Sequence, residues 1–370
     1  MTTEDKKDLQ DSELVIEDTS NPDNEYNQET LNYKQAGVDV EAGYELVQQI
    51  KPYVKKTLRP EILSGLGSFS ALSRIPSHIK NPILVTCTDG VGTKIEIARE
   101  LNFFETIGID LVAMSVNDLI VCGAEPLVFL DYYVTDKLKV DLATEVIKGI
   151  AKGCELSNCS LVGGETAEHP GSFPEDSFDL AGFCLGVVDE DELIGVEGPK
   201  NNDVLIGIAS SGFHSNGFSL IRKVIKDYNL KLEMNVEGSS LGEILLEPTR
   251  IYVPEILSLK KSVKINAISH ITGGGFIENI PRMLNETQKA VIKHDFNDWP
   301  SGKYFSWLSE IANITKDDLL QTFNCGVGLV LAVNQEDEEN ILGVLNQSLF
   351  AKSIGTVEEK SKSDRNIEFI

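Results

Sequence analysis

Thr86-Cys87-Thr88-Asp89-Gly90-Val91-Gly92-Thr93-Lys94 follows the apolar run Ile83-Leu84-Val85 and precedes a stretch of helical character over 94–101. A strand that ends in glycines and hands over to a helix lets backbone amides approach a ligand closely at the helix's positive end. This is a phosphate-loop type of construction within an α/β chain. It is not a Walker A motif, which spaces its glycines differently and follows its Lys with Ser or Thr; here Ile95 follows Lys94. The competing reading is a tight glycine turn with a solvated Asp89 and Lys94.

Next along the chain comes Gly108-Ile109-Asp110-Leu111-Val112-Ala113-Met114-Ser115-Val116-Asn117-Asp118-Leu119-Ile120-Val121-Cys122-Gly123, almost wholly apolar and free of Lys or Arg. The pattern predicts a buried helix. On it Asp110 and Asn117 lie about 20° apart around the axis, with Asp118 about 80° beyond Asp110, so their polar heads can face one pocket. A carboxylate in such a helix is costly unless paired, hydrogen-bonded or bound to metal. Magnesium is the natural partner, and neighbouring amides or a distant Arg are the alternative.

Leu161-Val162-Gly163-Gly164-Glu165-Thr166-Ala167-Glu168 repeats the design, with two glycines and an acid at the carboxyl end of a strand. Ligands favour that edge of α/β sheets. Asp89, Asp118 and Glu165 would together suit magnesium ions bridging nucleotide phosphates, because magnesium prefers oxygen ligands. Gly90, Gly92, Thr93, Lys94, Asp110, Asn117, Gly163, Gly164 and Thr166 complete the expected nucleotide site.

In the second half, Ala209-Ser210-Ser211-Gly212-Phe213-His214-Ser215-Asn216-Gly217 follows a strand and opens a helix. It offers hydroxyls, amides and an imidazole at a positive dipole end, as a substrate phosphate needs. His270-Ile271-Thr272-Gly273-Gly274-Gly275-Phe276 has the same layout. Two of the chain's five histidines, His214 and His270, fall in these loops. Each is a candidate proton carrier or a hydrogen-bonded structural histidine. Thr322-Phe323-Asn324-Cys325-Gly326-Val327-Gly328 reads as a close-packed turn.

Around these motifs both halves mix helix and strand. Strands are expected at 83–86, 160–162, 204–209 and 327–333, and helices at 94–101, 110–122, 141–156, 217–227 and 276–284. Asp189-Glu190-Asp191-Glu192, followed by Gly195, Gly198-Pro199 and Asn201-Asn202, concentrates charge and turn formers as a domain boundary does. The expected division is an N-terminal domain over 33–190 and a C-terminal domain over 200–370. Residues 1–32 carry ten Asp or Glu against two Lys and one aromatic residue, too few apolar groups to offset ordering. They are expected as a disordered tail, with Leu14-Val15-Ile16 its only apolar patch.

The 370 residues carry a net charge of −25, which repels a nucleic-acid backbone. No apolar run approaches a membrane span and no basic-then-apolar leader opens the chain, which favours the cytoplasm. The six cysteines show no zinc-type spacing and are read as reduced, mostly buried thiols.

Taken together, the chain resembles the phosphoribosylformylglycinamidine cyclo-ligase family, also called aminoimidazole ribonucleotide synthetases. The resemblance rests on Tyr33-Lys34-Gln35-Ala36-Gly37-Val38-Asp39, Gly65-Leu66-Gly67-Ser68-Phe69, Thr88–Lys94, Gly108–Met114, Asn117-Asp118, Gly123-Ala124-Glu125-Pro126, Gly163–Glu168, Ser211–Gly217, Pro248-Thr249-Arg250-Ile251-Tyr252 and His270–Gly275, and it runs from about Tyr33 to the C-terminus. It implies a two-domain α/β (α+β) subunit, with helices packed on mixed sheets. It also implies a homodimer pairing through the N-terminal halves, with ATP near that interface and magnesium on Asp89, Asp118 and Glu165.

The implied reaction activates the formyl oxygen of formylglycinamidine ribonucleotide with the γ-phosphate of ATP and closes an imidazole ring. Lys94 would sit on the triphosphate, His214 or His270 would manage protons, and Ser211, Gly212, His214, Ser215, Asn216, Thr272, Gly273 and Gly274 would hold the substrate. Departures are small: Cys87 and Glu96 flank the loop unusually, and His169 stands where relatives often carry Met. A selenophosphate synthetase would bring a reactive Cys to residues 60–75, which contain none. Another ATP-using enzyme of the same superfamily, or a nucleotide-binding regulator without turnover, remains the alternative.

Overall fold

The computed structural model describes residues 32–174 and 176–370. Apart from Asn32, the expected acidic tail and its Leu14-Val15-Ile16 patch lie outside them.

The first half opens with helix α1 (Val40–Thr57), capped by the Asp39 side chain, which accepts from the backbone amides of Glu41 and Ala42. A small hairpin, β1 (Ile62–Ser64) with β2 (Leu72–Ser73), leads to β3 (Pro82–Gly90). Then come α2 (Lys94–Leu101), α3 (Glu105–Val121), β4 (Glu125–Thr135), α4 (Val140–Leu156), β5 (Ser160–Glu168) and β6 (Phe178–Asp189). The sheet order is β3-β6-β4-β5, antiparallel except for the parallel pair β4–β5. Its inner face packs on α3, whose Asp110, Ser115 and Asn117 are fully buried among apolar neighbours, as the sequence predicts. α3 and α4 touch backbone to backbone: a Cβ on Gly149 would come within 1.9 Å of the Glu105 carbonyl oxygen.

The other face of this sheet is open and apolar: Leu84 is 56 %, Leu130 40 % and Phe183 44 % exposed. An antiparallel sheet facing water ordinarily alternates to polar residues there.

In the second half, β7 (Val204–Ala209) runs into α5 (Phe218–Asp227), a short hairpin of β8 (Asn235–Val236) and β9 (Ser239–Ser240), α6 (Leu241–Leu246) and α7 (Val253–Leu259). After these come β10 (Ile265–His270), α8 (Gly275–Asn279), β11 (Gln288–Ile292), α9 (Gly302–Ala312), α10 (Lys316–Thr322), β12 (Val327–Val333), α11 (Glu338–Leu345), β13 (Ala351–Glu359) and β14 (Ile367–Phe369). They form a six-stranded mixed sheet in the order β10-β12-β7-β13-β11-β14. β7, β10 and β12 are buried on both faces; in β7 and β12 this explains the unbroken apolar sequences, while β10 also buries Asn266, Ser269 and His270. The helix expected over 276–284 stops as an α-helix at Asn279 and continues as a 3₁₀ turn over Ile280–Met283, because Pro281 lacks the amide an α-helix needs.

The two halves meet where α3 packs against β10 and α7. Among the described residues no helix is long and apolar enough to cross a membrane.

Candidate functional site

Three polar residues of α3 bind the second half, and they do so in two directions. Asp110 Oδ1 accepts from the backbone amide of Thr249 (2.7 Å) and from its hydroxyl (2.6 Å). Asn117 donates to the Arg250 carbonyl (2.8 Å) and accepts from the Tyr252 amide (3.0 Å). These two residues grip one segment, 249–252, and neither head is left for a nucleotide. Asp118 turns elsewhere: its carboxylate lies 2.8 Å from Nδ1 of His270, at the end of β10.

Lys94 departs most from its expected place. Its ammonium is wholly buried, 2.8 Å from Asp110 Oδ2, and it donates to the carbonyls of His214 (3.0 Å) and Glu247 (2.8 Å). Burial pushes the lysine's pKa down against the pull of Asp110. Two of its donors are spent on these carbonyls and its charge on Asp110, so Lys94 ties the phosphate-type loop to the second half and does not reach toward a triphosphate.

The loop itself stays in reach of a ligand. Gly92 is exposed with φ +68°, a conformation that suits glycine, and the Thr93 hydroxyl lies 3.1 Å from that of Ser219 on α5. Asp89 Oδ1 accepts from the Gly90 amide at 2.7 Å. Burial raises the Asp89 pKa, and the nearby negative charge of Asp118 raises it further, with His270 also close enough to act on it. Two half-buried carboxylates beside each other create a field that a cation would relieve.

Glu165 does not join them. β3 and β5 are opposite edges of the sheet, so Asp89 and Gly164 stand in one row across β6 and β4, separated by three strand spacings, or about 14 Å. Gly163, Gly164, Glu165 and Thr166 instead line a separate cavity of about 380 Å³ beneath α1, with Asp131 at its floor. Burial lifts Asp131 to about 7. A Cβ on Gly164 would meet its carboxylate at 2.3 Å. Among the described residues no three His, Cys, Asp or Glu side chains are grouped to hold a metal. The expected acid trio is therefore a pair, Asp89 and Asp118, within one protomer.

The two substrate-type loops adjoin each other: a Cβ on Gly273 would lie 3.4 Å from Asn216 Oδ1. Ser211 donates to the Pro248 carbonyl (2.6 Å), the Ser215 hydroxyl lies 3.4 Å from that of Thr249, and Asn324 donates to the Gly212 carbonyl (2.9 Å). The 322–328 turn is thus the structural support expected of it. Asn279 donates to the carbonyls of Thr272, Gly273 and Gly275, and its Oδ1 accepts from the Thr272 hydroxyl. Gly274 has φ +87° and Gly275 φ +56°, and a Cβ on Gly275 would strike the Leu320 carbonyl at 2.1 Å.

The histidines divide. His214 is buried with φ +59°; its Nε2 accepts from the Ser211 amide at 3.3 Å, and burial, then the charges of His270, Lys94 and Arg250, hold its pKa well below the usual range. It is held as a neutral ring within its loop, with Nδ1 unpartnered among the described residues. His270 has Nδ1 fixed by Asp118, while its buried Nε2 finds no partner among the described residues. An imidazole oriented by a carboxylate with its second nitrogen unspent is the arrangement a general base requires.

Further buried polar atoms of these loops find no partner among the described residues, including His214 Nδ1, Asn216 Nδ2 and Arg250 Nε. Buried polar groups are rarely left so, and an anionic ligand suits such donors. Arg250 was not among the residues assigned from the sequence; its signal was one Arg inside the 248–252 segment.

Comparison with known proteins accords with this architecture. The description "AIR synthase related protein, N-terminal domain" matches residues 74–188, and "AIR synthase related protein, C-terminal domain" matches residues 200–367. Thiamine-monophosphate kinase from Stenotrophomonas maltophilia K279a superposes with a TM-score of 0.64 at 16% identity, over 87% of this chain and 95% of that one. The hydrogenase maturation protein HypE in complex with ATP gives 0.62 at 17%, over 88% and 91%. Thiamine monophosphate kinase from Aquifex aeolicus gives 0.55 at 18%, over 80% and 89%. At these identities the likeness is one of fold. With both domain models matched in order along most of its length, the chain belongs to the AIR synthase-related superfamily.

Proposed function

We propose that the protein closes the imidazole ring of formylglycinamidine ribonucleotide with ATP, releasing 5-aminoimidazole ribonucleotide, ADP and phosphate, a step of purine (IMP) synthesis. One observation carries the reading. Segments that resemble cyclo-ligases, dispersed from residue 88 to residue 275, hold one another at a single seam: Lys94 with His214, Asp110 with Thr249, Asn117 with Arg250 and Tyr252, and Asp118 with His270. A superfamily member with another substrate would need the fold but not this whole set.

In this reading the exposed loop at Gly90–Thr93 receives the nucleotide phosphates through backbone amides. Asp89 and Asp118 would hold magnesium, which supplies neutralisation of phosphate charge when bound. Asn216 and Arg250 grip the substrate's own phosphate. His270 accepts a proton at Nε2 as the internal amine attacks the activated formyl carbon, and Asp118 stabilises the imidazolium that results. Lys94, Asp110 and Asn117 hold the two halves at the distance this needs.

The open apolar face of the N-terminal sheet is the surface on which a homodimer would form. A cytoplasmic setting agrees with six cysteines that are all free.

The test is turnover. Purified protein given formylglycinamidine ribonucleotide, ATP and magnesium is expected to form aminoimidazole ribonucleotide in step with ADP, and Asp118→Asn to lose at least about a hundredfold in kcat. Phosphorylation of thiamine monophosphate, with no aminoimidazole ribonucleotide formed, would move the protein to a kinase of the same superfamily. ATP binding without turnover of any such substrate would make it a regulator.

A further inference from the structure

Four of the six cysteines stand in file through the core of the N-terminal half. Cys87 on β3 and Cys184 on β6 are register partners in an antiparallel pair, so their side chains share one face of the sheet. Cys184 Sγ is 3.9 Å from Cys159 Sγ, and the Cys159 amide donates to the carbonyl of Cys154 at 2.8 Å. The inner three are buried, while Cys87 is only half-buried, on an edge strand. The file therefore has one end open.

That open end adjoins the candidate site. Cys87 is two residues from Asp89, so both project to the same face of β3. Its thiol donates to the carbonyl of Ser115, at 3.1 Å, and Ser115 lies about one helical turn before Asp118. The half-exposed thiol thus sits beneath the pair of acids, bonded to the helix that carries one and built into the strand that carries the other.

We propose that Cys87 and Cys184 are a peroxide-sensitive dithiol pair whose disulfide disables the Asp89–Asp118 site. Directly opposed residues in an antiparallel pair have Cα atoms about 4.5–5.5 Å apart, inside the range a disulfide spans. The Cys87 thiolate attacks hydrogen peroxide, giving a sulfenic acid and hydroxide. The Cys184 sulfur then displaces the sulfenic oxygen, forming the S–S bond, and the thiol proton leaves with that oxygen as water. Across both steps two thiols are oxidised and one peroxide is reduced to two waters.

Bonding to Cys184 takes the Cys87 sulfur off the Ser115 carbonyl and draws it along the sheet. The link between β3 and α3 just below Asp89 and Asp118 is then lost. A displacement of this kind is enough to spoil a site that works by positioning. Cys122, the other half-buried thiol, caps the C-terminus of α3 and has no cysteine hydrogen-bonded to it among the described residues, so it is the natural control.

The experiment treats the full-length reduced protein with a stepped excess of hydrogen peroxide, blocks the remaining thiols, and maps linked peptides by mass spectrometry without reduction. MgATP binding is followed by calorimetry before and after dithiothreitol. The expected result is a Cys87–Cys184 link with two thiols lost, MgATP affinity weaker by at least about tenfold, and recovery of both on reduction. Cys87→Ala should keep its affinity under peroxide, and Cys122→Ser should behave as wild type.

Linkage elsewhere, over-oxidation of Cys87 without a link, a link that leaves affinity unchanged, or equal loss in Cys87→Ala would each overturn the proposal. Cys184→Ala serves as a second variant, expected to stop at the sulfenic acid and trappable with dimedone. Reduced protein that binds no MgATP would count against the proposed ring-closing function. The thiol pair would then be judged on the mapped link alone.

Discussion

Lys94 and Asp110 form an ion pair with neither side chain exposed, and its geometry makes it structural. Removing one member leaves the other charged and buried, which costs more than the pair itself contributes. Lys94→Ala is therefore expected to lower the unfolding free energy by about 3–5 kcal/mol, read by urea denaturation, whereas Lys94→Met with Asp110→Asn, which keeps an acceptor for the Thr249 amide and hydroxyl, should recover part of the loss. A Lys94 that served only the triphosphate would leave stability unchanged.

Asp131 makes a prediction in pH. Burial raises its carboxyl from 3.8 to about 7. The unfolded chain gives up this proton near pH 4 and the folded chain keeps it to about 7, so between these values the folded state binds more protons and stability falls as pH rises. Asp131→Asn has no proton to lose there. Its stability relative to wild type should climb across that window by up to the order of 4 kcal/mol, and thermal melts at a series of pH values would measure it. A flat difference would mean that the carboxyl ionises normally.

At the scale of elements, α3 shows what a sequence can and cannot disclose. Its burial was legible in an apolar run without Lys or Arg, and so was the need of its acids for partners. The identity of those partners was not. Asp110 and Asn117 are about 20° apart on the helix wheel and do face one thing, but that thing is the 249–252 backbone, more than a hundred residues away, and helical periodicity carries no information about it. Glu165 failed for a related reason: its strand-end glycines were readable, but strand order decides which acids meet, and β5 lies at the edge opposite β3. In the second sheet β7 and β12 were easier, since burial on both faces leaves unbroken apolar runs, whereas β10, β11, β13 and β14 mix polar residues into their strands and were not foreseen.

The close approach of α3 and α4 makes a further prediction. Gly149→Ala puts a methyl group where the Glu105 carbonyl stands. The helices must part, so a loss of at least about 1–3 kcal/mol is expected in a denaturant titration, against a gain of about 0.5–1 kcal/mol for Gly43→Ala in α1, whose Cβ meets nothing within 4 Å.

For the whole molecule, the open face bearing Leu84, Leu130 and Phe183 predicts self-association, with a mass in sedimentation equilibrium near twice the 40.6 kDa of one chain. Leu130→Asp with Phe183→Asp should shift it to a monomer while leaving the second sheet folded; a wild-type monomer would remove the dimer from the account.

The proposed function requires the two halves to act as one site, and the proposal puts nucleotide at the loop after β3 and substrate at the loops after β7 and β10. The most direct test places ¹⁸O in the formyl group of formylglycinamidine ribonucleotide and follows the label through a single turnover with ATP. If the formyl oxygen attacks the γ-phosphate before the ring closes, the label appears in the released inorganic phosphate, one atom per aminoimidazole ribonucleotide. Product formed with unlabelled phosphate, or phosphate released with no ring closed, would contradict it.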